Sequence, residues 1–312
     1  MLPSIHLGPT DVTIRPLGLG AWQWGDTRFW GFDASTGPAL ARDAFNASLD
    51  AGITFIDTAE LYGSGRSERM VGRFLRESGR EAFVATKFAP MPWRVRSASL
   101  VGALDRSLER LRMGQVDLYQ VHWPSPLLRI DRLMDRLAEA VRAGKVRYVG
   151  VSNYSEKQMR RAHAALAQHG VPLVSNQVNY SLMHRAPERN GVLAACRELN
   201  VTLIAYSPIA QGALTGKYGP GRGKVTGVRR YRGHFRALPS AMPLVEALER
   251  IGAVHERTAA QVALNWLARQ DHVLPIPGAK DGRQAGENAK AVDFAISAEE
   301  AAELDRLSMR FR

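Results

Sequence analysis

Cysteine is nearly absent: Cys196 is the one thiol among 312 residues. It cannot close an internal disulfide, so nothing points to an oxidising compartment, and we expect it to pack inside a helix. No window approaches 18 uninterrupted apolar residues, and the opening MLPSIHLGPTDVTIRPLGLG lacks a basic segment followed by an apolar stretch. We therefore expect no membrane span, no leader and a soluble, cytoplasmic protein. Acidic residues are in deficit as well: 30 Asp and Glu face 42 Lys and Arg, a net charge of +12 with a pI near 10.2. The densest basic stretch, GRGKVTGVRRYRGHFR (221–236), loosely resembles single-strand-binding segments. Excess surface arginine is common in soluble proteins, so we expect no nucleic-acid partner. A phosphorylated small ligand draws on the same charge.

What is abundant is periodic. Apolar stretches rich in β-branched and aromatic residues recur about every 30 residues: ITFID (53–57), AFVATK (82–87), VDLYQVH (116–122), VRYVGVS (146–152), LVSNQV (173–178) and VTLIAYS (201–207). Between them lie amphipathic segments such as LVGALDRSLERLRM and DRLMDRLAEAVRAG, with apolar residues three and four apart. A short strand near RPLGLGA and a late one near HVLPIPG bring the strands to eight. This predicts an α/β fold, a TIM (β/α)8 barrel with an N-terminal β-hairpin and extra C-terminal helices, as one domain over 1–312. A doubly wound sheet fits less well, because Gln23 stands where the third glycine of its fingerprint belongs. The gap between the seventh and eighth strands is long and holds a basic loop, 217–242, before two helical stretches.

Catalytic groups of such barrels gather where strands end and loops begin. Asp57 ends ITFID, Lys87 ends FVATK, His122 ends LYQVH, and Tyr62 follows Asp57 by a short loop. Each has an ordinary alternative: Asp57, Thr58 or Ser64 as a helix cap, Lys87 as an exposed terminus, His122 as a satisfied histidine, Tyr62 as loop packing. Together they suit proton delivery to a carbonyl. A phenol is a weak acid near neutrality, and an ammonium at about 4 Å would lower its pKa by roughly three units at an effective dielectric near 20. Asp57 would reduce that pull while keeping the buried lysine charged. A histidine on the next strand would direct the carbonyl oxygen.

FIDTAELYGSGRSE, ATKF, VDLYQVHWP, GVSNYS, SNQVNYSL, AYSPIAQGALTGKY and PIPGAK together resemble the aldo-keto reductases, NADP(H)-dependent carbonyl reductases on a TIM barrel, over about residues 12–308. GAWQWGD, NQVNYSLMHR and SPIAQGALTGKY look similar to the plant-chloroplast and cyanobacterial branch. The resemblance implies Tyr62 as general acid, Lys87 as its partner, Asp57 as the partner of that lysine, and His122 as the carbonyl-orienting residue. It implies that Ser152, Asn153 and Gln177 hold the carboxamide and that Tyr206 stacks on the nicotinamide. Ser207, Pro208, Ile209, Gln211, Gly212, Leu214 and Lys217 would line the pyrophosphate. Gly278, Ala279, Lys280, Gln284, Glu287 and Asn288 would hold the adenosine half, with Lys280 or Arg283 on the 2′-phosphate. The chain departs from many members at Gln284, where they carry arginine, so the preference for NADP over NAD rests on Lys280 and the branch.

Trp22, Trp24, Trp30, Trp93 and Trp123 fall in loops near the expected mouth and suit an apolar or aromatic carbonyl. Arg94, Arg96 and the basic loop are candidates for selecting an anionic substrate. The expected activity is NADPH-dependent reduction of an aldehyde or ketone. The alternatives are an NADP(H)-binding regulatory or redox-sensing subunit, as in the similar potassium-channel β subunits, and a pyridoxal-type reductase. Those subunits replace the fourth-strand histidine, so His122 favours an enzyme. We expect a small-molecule carbonyl partner, no metal, and a monomer or weak homo-oligomer.

Overall fold

The computed structural model describes residues 1–225, 230–231 and 233–311. A hairpin of β1 (Ile5–His6) and β2 (Thr13–Ile14) comes first, followed by β3 (Gly18–Gly20), α1 (Gly37–Asp50), β4 (Phe55–Asp57), α2 (Arg66–Ser78), β5 (Phe83–Phe88) and α3 (Ser99–Leu111). Then come β6 (Val116–Val121), α4 (Ile130–Arg142), β7 (Val146–Ser152), α5 (Glu156–Ala167), β8 (Leu173–Asn179), α6 (Ala186–Arg189), α7 (Val192–Glu198) and β9 (Thr202–Tyr206). The chain ends with α8 (Gly233–Arg236), α9 (Leu238–Val254), α10 (Ala259–Ala268), β10 (Val273–Pro275), α11 (Gly282–Ala289) and α12 (Ala298–Ser308). Strands β3 to β10 pair in parallel, each with its sequence neighbour, and Gly20 bridges to Gly278 to draw the two edges together. This is the expected barrel.

Side chains alternate across each strand with a period of two. Phe55, Phe83, Ala85, Leu118, Val174, Ile204 and Leu274 point inward and meet Leu7 and Ile14 of the hairpin region, which plug the barrel from below. Phe55 and Phe83 stack with ring centroids 5.3 Å apart, and burial of a phenylalanine ring stabilises the fold by about 1.5–3 kcal/mol. Ile56, Val84, Tyr119 and Val121 point outward against the helices. Three helices start on reciprocal caps, Ser155 with Gln158, Thr258 with Gln261 and Ser297 with Glu300.

The described part of the long segment before the eighth strand contains helix where the sequence predicts a loop. α8 and the start of α9 fall inside 217–242, and α9 accepts Pro239 in its first turn, where no backbone donor is needed. Part of the basic stretch 221–236, residues 226–229 and 232, lies outside the described residues.

Candidate active site

The same alternation that buries Phe55 and Phe83 turns Asp57, two residues beyond Phe55, and Lys87, four beyond Phe83, inward toward the carboxyl-terminal end of the barrel. Both side chains are buried. Lys87 Nζ spends its three donors on Asp57 Oδ1 at 2.6 Å, Thr58 O at 2.8 Å and Tyr62 OH at 3.2 Å. Asp57 Oδ2 accepts from Gln177 Nε2 at 2.7 Å and from Gln120 Nε2 at 3.4 Å. The buried carboxylate is therefore paired and hydrogen-bonded on both oxygens, as a charge taken from water must be. None of Asp57, Thr58 and Ser64 caps α2, whose first residue follows Gly65 with no side-chain cap.

Tyr62 is aimed by the turn Tyr62–Gly65, in which Gly63 and Ser64 both have φ 56°. A Cβ on Gly63 would fall 2.5 Å from Gly25 O, so only glycine permits that approach. His122 lies across the cleft, its ring centroid 5.9 Å from that of Tyr62 and nearly perpendicular to it. Its Nδ1 is buried without a hydrogen-bond partner among the described residues. Burial and the Lys87 ammonium push the imidazole down to about 3, so His122 is neutral near pH 7.

The phenol runs against the expectation that Lys87 lowers its pKa. Burial, and then the negative charge of Asp57, push Tyr62 well above the ordinary tyrosine value. Asp57 sits closer to Lys87 than the phenol does, so the ring faces a nearly neutral pair in a low dielectric. Tyr62 is thus a protonated donor throughout the physiological range.

The positions expected to hold the cofactor form a continuous strip. Ser152 Oγ donates to Gln177 O at 2.8 Å, and Asn153 Nδ2 donates to His122 O at 3.0 Å. Tyr206 OH donates to Asn153 Oδ1 at 3.0 Å, which fixes its ring at the mouth. Gln177 gives its amide nitrogen to Asp57, so it also orients the lysine pair. Beyond Tyr206 the chain turns through left-handed backbone at Ser207 (φ 52°), Ala210 (φ 49°), Gln211 (φ 55°) and Gly212 (φ 103°). Pro208 and Ile209 lie within this turn, Leu214 anchors it in the core, and Lys217 is exposed at its end.

The next loop stands on the adjacent strand β10. Trp24 Nε1 donates to Ala279 O at 2.9 Å, Asn288 Nδ2 to Gly278 O at 3.2 Å, and Lys280 N to Gln284 Oε1 at 3.0 Å. Glu287 is held by Gln261 and Lys290, while Lys280 and Arg283 are exposed. Two buried amide oxygens in this region, Gln23 Oε1 and Gln211 Oε1, have no hydrogen-bond partner among the described residues. Flanking cations, left-handed turns and unpaired amide oxygens suit a phosphate-bearing dinucleotide.

Trp22 stacks on Phe29 at 5.1 Å, meets Trp30 edge-on at 5.4 Å and lies 6.2 Å from the Tyr62 ring. Trp123 packs against His122 at 4.8 Å. These rings form an aromatic wall beside the phenol. Trp24 does not join it. With 1 % exposure it packs behind the wall against Phe74, because residues two apart leave the turn in different directions. Trp93 is 72 % exposed on the rim. Arg94 is not free for a substrate anion either: it forks onto Glu60 at 2.5 and 2.9 Å and donates to Ala89 O at 2.6 Å. Arg96 is exposed.

Sequence reasoning missed Gln120 and Phe29. A signal existed for the first: a glutamine two places before His122 in an apolar strand must face the same side. Phe29 had only its neighbour Trp30 to suggest it.

The sequence model of the Aldo/keto reductase family matches residues 16–309. The chloroplastic pyridoxal reductase of Arabidopsis thaliana is 39 % identical over 317 aligned residues, covering 97 % of this chain and 85 % of that one. A thermostable aldo-keto reductase in complex with the inhibitor epalrestat superposes with a TM-score of 0.81 at 32 % identity, covering 98 % of this chain and all of that one. An aldo-keto reductase from Klebsiella pneumoniae in complex with NADPH gives a TM-score of 0.79 at 27 % identity, covering 99 % and 95 %. With the barrel and the buried Asp57–Lys87 pair in place, these matches settle its kinship: the chain belongs to the aldo/keto reductase family and is an NADP(H)-dependent oxidoreductase.

Proposed function

We propose that the protein reduces an aldehyde or ketone to the alcohol, with Tyr62 as the proton donor, and that residues 1–312 act as one barrel domain. The observation that carries this reading is the Lys87 Nζ to Tyr62 OH contact of 3.2 Å facing the His122 ring. Bound NADPH supplies the hydride to the carbonyl carbon. Tyr62 gives its proton to the carbonyl oxygen and is later reprotonated from solvent. Neutral His122 orients that oxygen by hydrogen bonding. Lys87 acts after the proton has left: at 3.2 Å and an effective dielectric near 20, an ammonium steadies a phenolate by roughly 5 kcal/mol before the offset from Asp57. This favours the state after transfer over the state before it, which is what accelerates a reaction. Asn153 and Tyr206 fix the mouth, and the aromatic wall excludes water.

Replacing Tyr62 with Phe keeps the ring and removes the proton. Turnover of a generic activated aldehyde should fall by about 10²–10⁴-fold, while NADPH still quenches tryptophan fluorescence. Undiminished turnover in this variant contradicts the assigned role, and a wild-type protein that binds NADPH yet turns over no carbonyl supports the regulatory alternative. The wall of Trp22, Phe29 and Trp30 favours flat aromatic aldehydes, and the name of the Arabidopsis relative makes pyridoxal the first compound to assay.

A further inference from the structure

Away from the catalytic mouth, α2 and α3 border a cavity of about 550 Å³. Arg69 and Arg73 of α2 line it together with Arg106, Arg110 and Arg112 from α3 and its cap, against one carboxylate, Glu109. Among the described residues, Arg110 alone of the five makes a close ion pair, with Nε on the buried Glu68 Oε2 at 2.5 Å and Nη2 on Ser107 Oγ at 3.0 Å. Arg73 has Glu77 at 3.7 Å and lies over the Phe74 ring at 5.2 Å, and its Nε makes no hydrogen bond among the described residues. Arg69, Arg106 and Arg112 have no acidic partner among the described residues.

Arg69 with Arg73, and Arg106 with Arg110, are like-charge pairs four apart, an unfavourable spacing on a helix. Folding sets the two rows face to face around a hollow. Two of the guanidiniums, those of Arg110 and Arg69, converge near Gly65, where an added Cβ would lie 2.9 Å from Arg110 Nε and 3.5 Å from Arg69 Nη1. An anion between the rows relieves the repulsion and accepts charge-assisted hydrogen bonds from several forks at once. This hollow is lined by the outer helices α2 and α3, whereas the cofactor strip stands on the ends of β7 to β10.

We propose that the cavity is a second, separate anion site that takes a polyphosphate or phosphorylated small molecule. The test titrates inorganic tripolyphosphate calorimetrically into protein saturated with NADPH, so that the cofactor's own phosphate positions are filled, at ionic strength held constant with NaCl. One saturable site per chain is expected. Changing Arg69 and Arg106, both exposed, to alanine should weaken it at least about tenfold, while Lys217→Ala with Lys280→Ala leaves it within about twofold. Circular dichroism and Tm check the fold of each variant, and Arg106→Ala alone carries the comparison if the pair fails to fold. No saturable heat, or heat indifferent to Arg69 and Arg106, overturns the proposal.

Discussion

Asp57→Asn removes half of a buried ion pair whose other half cannot reach water. Lys87 Nζ has its three partners at 2.6, 2.8 and 3.2 Å, and after the change all three are neutral. Breaking a buried pair on one side costs about 3–5 kcal/mol. An independent ceiling follows from proton release: a lysine with an unfolded pKa near 10.4 that must be uncharged when folded loses about 4.6 kcal/mol at pH 7. With an unfolding entropy near 2.1 cal/mol/K per residue, the 312-residue chain changes Tm by about 1.5 °C per kcal/mol, so the variant should melt about 5–7 °C below wild type.

The pH dependence sharpens this. In the variant the folded lysine holds its proton less tightly than the unfolded one, so above pH 7 the unfolded state binds more protons and stability rises with pH. Differential scanning fluorimetry from pH 7 to 9 should show the deficit shrinking by about 1.4 kcal/mol, or roughly 2 °C, per unit. Asp57→Asn with Lys87→Met should recover most of the loss while remaining inactive, a non-additivity expected of groups in contact. A deficit below 1 °C, or one that ignores pH, would refute the idea that Asp57 is what keeps Lys87 charged.

His122 makes the opposite demand on acid. Its folded pKa is about 3 against an ordinary 6.5, so below 6.5 the unfolded state gains a proton that the folded state refuses. Wild type should lose about 3 kcal/mol more than His122→Asn between pH 6.5 and 4, read from urea midpoints. Trp22→Ala removes the centre of the aromatic wall and should raise KM for an aromatic aldehyde about 5- to 100-fold with a smaller change for a short aliphatic one; Trp93→Ala, on the exposed rim, should shift stability by less than about 0.5 kcal/mol. Burial pushes the Cys196 thiol up to about 12, so Ellman's reagent should label the denatured chain and leave the native one unmodified over an hour.

The sequence alone determined the repeating part of this protein. The β-α recurrence, the period of two within strands and the rule that chemistry sits at strand ends were enough to set the barrel and to single out Asp57, Lys87 and His122, with Tyr62 one loop away. These are local properties, carried by residues close together in the chain. Tertiary structure decided whatever depends on distance or dielectric. Trp22 and Trp24 look alike in sequence, yet one faces the mouth and the other the core. Arg94 reads as a free cation until Glu60, 34 positions away, is brought against it. The direction of the Tyr62 shift was invisible because it depends on whether the Lys87 charge is already taken up by Asp57 and on how little water reaches the ring. The arginines of α2 and α3, spread along two helices as an ordinary solvated face, become one cavity through packing. Charge and period are written in the chain; which charges meet, and how dry the place is where they meet, is settled by folding.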